Sequence, residues 1–355
     1  MSRYLSKIRP AVMPFAVAQE DTLRWLMARI LFRTEGHPDP EAARALNLYE
    51  RLIGNPRIRQ RQVILDDVCH TRWDEMELYG ERQPSLAARM RIFEREADRL
   101  ANELFDGALD AKYLIQVSCT GYTSPNALQK LTSAKESHAR VWHVGHMGCY
   151  ASIPALSMAT QLDGPASLLF VELCSLHLDS DGASATQIVV NSLFADGAAR
   201  IDVTSEKPSK GFLWCGSRER VLPQSLGDMT WTLGSSNFGM TLSREVPRKI
   251  VGALRDYVEE FLASLNLSLS EIDHFAIHPG GPRIVEAVAE ALELKPGSTT
   301  HSDRVLQERG NLSSCSLPYI WNELLEDPNV RCGDRILSLA FGPGLTFASS
   351  VMERV

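Results

Sequence analysis

The sequence predicts a layered α/β fold, and three observations carry that expectation. Four short apolar runs, "YLIQVSCTG", "ASLLFVELCS", "HFAIHPGG" and "ILSLAFGPG", each end in small or turn-forming residues. They are apolar on both faces, as strands covered by helices on both sides must be. Stretches of helical spacing lie between these runs, and that alternation is the signature of sheets packed against helices. The chain has 355 residues, of which 44% are hydrophobic and 23% charged. This length fits two lobes or one large α/β unit, and a core of that size needs no disulfide or metal to hold it.

Taken in order, residues 1–40 read as an irregular N-terminal segment, with a helix opening near Pro40. The stretch "NLYERLIGNPRIRQRQV" follows, carrying Arg51, Arg57, Arg59 and Arg61. It reads either as a solvated face or as an anion-binding patch. Pro84 and Ser85 start a helix on which Met90, Phe93, Ala97 and Leu100 share a face. A strand opens at Tyr113 and a second at Ala166, with a helix expected over 149–162 between them. Residues 246–265 form another helix, with Ile250, Leu254, Val258, Phe261 and Leu265 at helical spacing. A strand at 274, a helix over 282–294 and a strand at 336 complete the series. Two strand-and-glycine pairs fall in each half, which hints at a duplication.

Composition excludes several classes. The net charge is −7, so no global attraction to nucleic acid exists. No apolar run approaches the ~20 residues needed to span a bilayer. The first residues, basic with a short apolar part, lack the core and cleavage site of a signal peptide. Cysteines at 69, 119, 149, 174, 215, 315 and 332 are odd in number, widely spaced and without a C-x-x-C. That pattern fits reduced thiols in a cytoplasm.

Cys149, in "GHMGCYASIPAL", sits behind a glycine at an expected helix start. A thiol there feels free backbone N–H groups and the positive helix end, so its pKa should fall. A cysteine in such a flank also reads as one more buried thiol. His278 lies at the C-terminal end of a strand, ahead of two glycines. Asn311 stands in "ERGNLSS", between Gly310 and a serine pair, and "FGPGLT" makes another tight turn. Cys, His and Asn together suit one chemistry. The cysteine takes an acyl group from a thioester, and the other two hold the carbonyl of a second thioester as it becomes an enolate. A metal site at His143, His146 and Cys149 is disfavoured, because "VWHVGHMG" reads as strand and turn and scatters those side chains.

The order Cys149, His278, Asn311 with these flanks resembles the chalcone-synthase-like type III polyketide synthases of the thiolase superfamily. The resemblance runs from about residue 45 to the end. It is carried by "SLFADGAA" (192–199), "IHPGGPRIVEAV" (277–288), "GNLSS" (310–314) and "AFGPGLT" (340–346). It implies a thiolase-like duplicated five-layer αβαβα fold and a homodimer. The N-terminal segment would be 1–40, the half with the nucleophile 41–222, and the half with His278 and Asn311 223–355. By the same resemblance Cys149 is the nucleophile, and His278 with Asn311 the decarboxylation pair. Phe194 would sit over the malonyl carbonyl. The second gating position falls on Met240, with Phe238 close by. Gly281, Ser313 and Gly344 would contact substrate. The family's phosphate-gripping cations align with Leu48, Arg51 and Asn55, so only Arg51 remains, and Arg57, Arg59 and Arg61 would compensate or receive a carrier protein. The family's glutamate after "CS" is replaced by Leu176.

The reading that follows is an acyltransferase joining an acyl thioester to a malonyl thioester with loss of CO₂. The product would be a pyrone, a resorcinol or a related ring. Acyl groups would arrive on coenzyme A or a carrier protein, with no cofactor, metal, nucleic acid or membrane span involved. Rival readings are a single-condensation ketosynthase, including one that joins two β-ketoacyl chains, a cysteine hydrolase, and a non-catalytic thiolase-fold partner.

Overall fold

The computed structural model describes residues 2–53, 57–81, 83–179 and 184–355. Asn55 lies outside the described residues. The first part of the chain gives β1 (Tyr4–Pro10), β2 (Phe15–Ala18), α1 (Gln19–Arg33), α2 (Pro40–Ile53), β3 (Gln60–Val63) and α3 (Leu86–Leu104). Then come β4 (Tyr113–Ser118), α4 (Ala127–Ala134), β5 (Arg140–Gly145), α5 (Ser152–Thr160), β6 (Ala166–Leu173), α6 (Ala185–Leu193) and β7 (Asp196–Thr204). The second part gives β8 (Phe212–Val221), β9 (Met229–Leu233), β10 (Phe238–Leu242), α7 (Val246–Ser264) and β11 (His274–Ile277). It closes with α8 (Pro282–Ala291), α9 (Thr300–Arg309), α10 (Ser316–Glu326), β12 (Arg335–Gly342) and β13 (Thr346–Arg354).

Nine strands form one continuous sheet in the order β11-β12-β13-β8-β1-β7-β6-β4-β5. It is two sheets joined edge to edge, since β1 meets β8 only at Tyr4↔Leu213 and Leu5↔Phe212. The two sides repeat each other. On one side β4 pairs β6 in parallel, β6 pairs β7 antiparallel and β7 pairs β1 antiparallel. On the other, β11–β12 is parallel, and β12–β13 and β13–β8 are antiparallel. This is the duplication, written in topology.

Side chains alternate across each strand, and the alternation builds the layers. Leu114, Leu169 and Val171 pack outward with Phe93 and Leu100 of α3. Their neighbours Ile115, Leu168 and Phe170 pack inward on Ile153 of α5 and Ile320 and Trp321 of α10. Ile336, Ala340 and Met352 of the second sheet close the same inner layer. Leu337, Leu339 and Val351 face the other way, onto Leu254 and Val258 of α7 and Val288 of α8. The result is helix, sheet, helix, sheet, helix: the five-layer thiolase-like arrangement expected above.

Two local expectations change. Residues 1–40 hold β1, β2 and α1 rather than irregular chain. Leu23 and Leu26 of α1 are buried in the outer layer, which an amphipathic helix requires and a loop does not. The helix after Cys149 starts at Ser152, with residues 149–151 in a turn ahead of it.

Candidate active site

The nucleophile candidate is placed by a turn that only glycine can make. Gly148 has φ +84, and a Cβ there would lie 2.5 Å from Cδ of Pro343. Pro343 belongs to the "FGPGLT" turn, so the second half of the chain packs directly on the residue before Cys149. Ala151 N–H then bonds Gly148 O at 3.1 Å and leads into α5. Pro154 fits that helix's first turn, where no N–H partner is lost.

Cys149 is 8% exposed. Burial pushes its thiol up to about 12. Hydrogen bonding with Ser313 pulls the other way, the Glu172 carboxylate adds to the rise, and Asn311 again lowers it. The expected fall in pKa is therefore reversed: desolvation of a thiolate outweighs the helix end.

Asn311 comes to this corner through a short bridge with Phe194. Ala195 N–H bonds Asn311 O at 2.8 Å, and Asn311 N–H bonds Leu193 O at 2.9 Å. Gly310 is required beneath it, with φ +84 and a would-be Cβ 2.8 Å from Ala195 Cβ. The Ser313 N–H donates to Asn311 Oδ1 at 2.9 Å, so the amide oxygen is used and the NH₂ points away as a donor. One NH₂ contact is Gly280 O at 3.3 Å, two residues from His278. The backbone N–H of His278 bonds Leu339 O at 2.7 Å, which fixes it at the end of β11. Its ring is buried, and neither ring nitrogen has a hydrogen-bond partner among the described residues. Burial lowers its pKa to about 3, so the ring is neutral and presents one donor and one acceptor.

A cavity of about 40 Å³ lies against Cys149. Phe194, Phe238, Met240 and Ser313 line it, whereas His278, Asn311, Gly281 and Gly344 are not among its lining residues. Gly281 caps α8, and Gly344 takes a bond from Ser225 Oγ at 2.7 Å.

Among the lining residues not singled out in the sequence are Cys119, Cys174, His177 and Trp231. Trp231, Phe238 and Met240 come from the β9–β10 hairpin, which is tied down at three points. Trp231 Nε1–H donates to Cys119 O at 2.8 Å, and His146 Nε2 meets Trp231 O at 2.8 Å. His177 stacks on Phe238 with ring centroids 4.3 Å apart, its Nδ1 accepting from Phe238 N–H at 3.2 Å. Its Nε2 lies 2.7 Å from Thr120 O. A carbonyl needs a donor and an N–H needs an acceptor, so this ring is the neutral Nε2–H tautomer. Burial, which lowers its pKa to about 3, agrees.

The basic stretch divides. Arg51, at the end of α2, and Arg59 are exposed, while Arg57 is exposed and ion-paired with Glu286. Arg61 is 1% exposed and does not belong to a surface patch. It donates to Asn191 O at 2.5 Å and Phe194 O at 3.0 Å, holding the Phe194 loop from below.

The pattern described as "Chalcone and stilbene synthases, C-terminal domain" matches residues 214–355. A 1,3,6,8-tetrahydroxynaphthalene synthase of Streptomyces peucetius subsp. caesius is 33% identical over 268 residues, 69% of this chain and 70% of that one. An alpha-pyrone synthesis polyketide synthase-like protein of Mycobacterium tuberculosis is 28% identical over 327 residues, 85% of this chain and 81% of that one. Among solved structures, PKS-I of the brown alga Ectocarpus siliculosus superimposes with a TM-score of 0.88 at 21% identity, covering 100% of this chain and 99% of that one. The chain thus belongs to the chalcone-synthase-like type III polyketide synthases of the thiolase superfamily.

Proposed function

We propose that Cys149, His278 and Asn311 carry the decarboxylative Claisen condensation that makes this chain a polyketide-forming acyltransferase. The Cys149 sulfur attacks the carbonyl of an acyl thioester, and its proton passes to His278. The thiol of the donor leaves with that proton, and the acyl group stays on sulfur. A malonyl thioester then binds with its thioester carbonyl between the His278 ring and the Asn311 NH₂. The bond to CO₂ breaks, the enolate oxygen is held by those two donors, and the enolate carbon attacks the acyl group. Cys149 leaves as thiolate.

The oriented Asn311 amide is the observation that carries this reading. Its oxygen is committed to Ser313 N–H, so its NH₂ is available to a developing oxyanion. The two idle nitrogens of His278 agree with it.

Phe194, packed beside Asn311, would shield the leaving CO₂ from water. In this reading residues 41–222 supply the nucleophile and 223–355 the decarboxylation pair.

The donors are coenzyme A thioesters, as in this family, which the exposed Arg51 and Arg59 would receive, and the protein works as a homodimer in the cytoplasm. Phe194, Trp231, Phe238 and Met240 give the cavity an apolar wall, which suits an apolar acyl starter. A second reading ends after a single condensation and uses the same three residues.

Intact-mass spectrometry with a panel of acyl-coenzyme A starters and malonyl-coenzyme A tests both. Cys149→Ala should gain no acyl group and form no product. Acylation of that variant at the wild-type rate would place the nucleophile elsewhere. Product masses read out the number of condensations.

A further inference from the structure

Glu172 is the charged residue in an otherwise apolar strand, β6, and it is fully buried. Four bonds converge on its carboxylate. Cys119 N–H lies 3.2 and 3.0 Å from its two oxygens, and Thr120 Oγ1 donates at 2.9 Å. Ser314 Oγ, from the turn that holds Asn311, is the remaining donor. Beyond these, Cys119 Sγ accepts the Gly148 N–H at 2.8 Å, which reaches the residue before the nucleophile. Glu172 thus touches the Cys149 turn through Cys119, and the Asn311 turn through Ser314. Those two turns come from different halves of the chain.

We propose that Glu172 is a positioning residue of the condensation, a clamp that aligns the Cys149 turn with the Asn311 turn and works when ionised. The proposal rests on the roles given above to Cys149, His278 and Asn311.

The donor set explains the ionisation requirement. A carboxylate accepts four bonds at once, whereas a carboxylic acid must aim its own O–H at a group that already donates. The Cys119 N–H cannot reverse. Thr120 Oγ1 already accepts from Leu173 N–H at 2.9 Å. Protonation therefore breaks or weakens part of the clamp.

Burial pushes Glu172 up to about 7, so both forms exist near neutrality. The titratable groups that feel its charge are Cys119 and Tyr122 from the segment after β4, Cys149, Cys174 at the end of β6, and Cys315. All are neutral acids, and none supplies a compensating positive charge.

The test is the pH–rate profile of condensation with acetyl- and malonyl-coenzyme A as probes. The wild type should lose kcat about tenfold per unit below an acid limb near 7. Glu172→Gln, at pH 8, should lose on the order of 10- to 100-fold in kcat with KM within a few-fold, and should show no such limb. Ser314→Ala keeps the carboxylate but removes one donor, so its limb should move upward even if Glu172→Gln folds poorly. A wild type with no limb overturns the proposal, as does a limb unmoved in both variants. So does a limb that disappears in Asp196→Asn instead. Cys149→Ala is run in parallel. Condensation retained there sinks the nucleophile assignment, whereas a dead Cys149→Ala with an unaltered Glu172→Gln profile sinks the clamp alone.

Discussion

At Cys149 two local effects compete, and their sizes decide the resting state. A helix N-terminus and a neighbouring N–H favour thiolate by about 1 kcal/mol or less in ordinary settings. Complete removal from water costs a thiolate several times that. The thiol therefore stays protonated in the free enzyme, pushed up to about 12. Inactivation by iodoacetamide should climb with pH through 9 without a midpoint. A midpoint below 8.5 would mean that His278 already holds the proton at rest. Cys149→Gln separates the two half-reactions. An amide at that position imitates the acyl carbonyl and cannot be acylated, so CO₂ release from malonyl-coenzyme A should persist while condensation stops. A folded Cys149→Gln protein that releases no CO₂ would remove His278 and Asn311 from the decarboxylation step.

Among the elements, the buried strands and long helices were readable because burial leaves a pattern. "YLIQVS" and "ASLLFVEL" are apolar on both faces, and α7 shows its stripe directly. The β9–β10 hairpin left a weaker trace. "MTWTL" and "FGMTL" alternate only loosely around Gly234–Asn237, where Gly234 N–H bonds Asn237 O at 2.8 Å. A short Gly-Ser-Ser-Asn loop between two strand-like runs was the available signal. The resemblance alone put Met240 and Phe238 near the substrate; how the hairpin is held was not in the sequence, because it depends on bonds with Cys119, His146 and His177, all distant in the chain. Glu172 did leave a mark, as the one charge in an apolar run. Its meaning required seeing Ser314 arrive from the other half. Two expected outcomes belong here. Trp231→Phe removes one anchoring bond, worth about 1 kcal/mol, so amides of 229–242 should exchange several-fold faster with little change in Tm. Gly148→Ala combines a forbidden φ with a clash on Pro343 and should cost about 2–4 kcal/mol, read in a urea melt together with loss of Cys149 acylation. A variant of unchanged stability and activity would show that the turn tolerates a side chain.

Over the whole molecule, four fully buried groups that titrate in the acid range form two opposed pairs. His177 and His278 are neutral in the fold, with pKa values lowered from 6.5 to about 3. As pH falls from 6.5 toward 3 the unfolded chain binds their protons and the native protein does not, so stability is lost. Glu172, raised from 4.5 to about 7, and Asp196, raised from 3.8 to about 6, act oppositely. As pH falls from 7 toward 4 the native state binds their protons first, so stability is gained. Each proton contributes about 1.4 kcal/mol per pH unit within its window. Between 6 and 4.5 two gains meet two losses and nearly cancel. Below about 4 Glu172 and Asp196 are protonated in both states, and the histidine losses are no longer offset. The urea midpoint should therefore change little from pH 6 to 4.5 and then drop steeply, with a slope approaching 3 kcal/mol per unit. Glu172→Gln removes one of the two offsets, so its decline should begin near pH 6 rather than near 4. Urea melts of both proteins at pH 7, 6, 5, 4 and 3.5 read this directly. A wild type that loses stability steadily from pH 6.5, or a Glu172→Gln protein with the same plateau, would show that the buried carboxylates do not counterbalance the histidines.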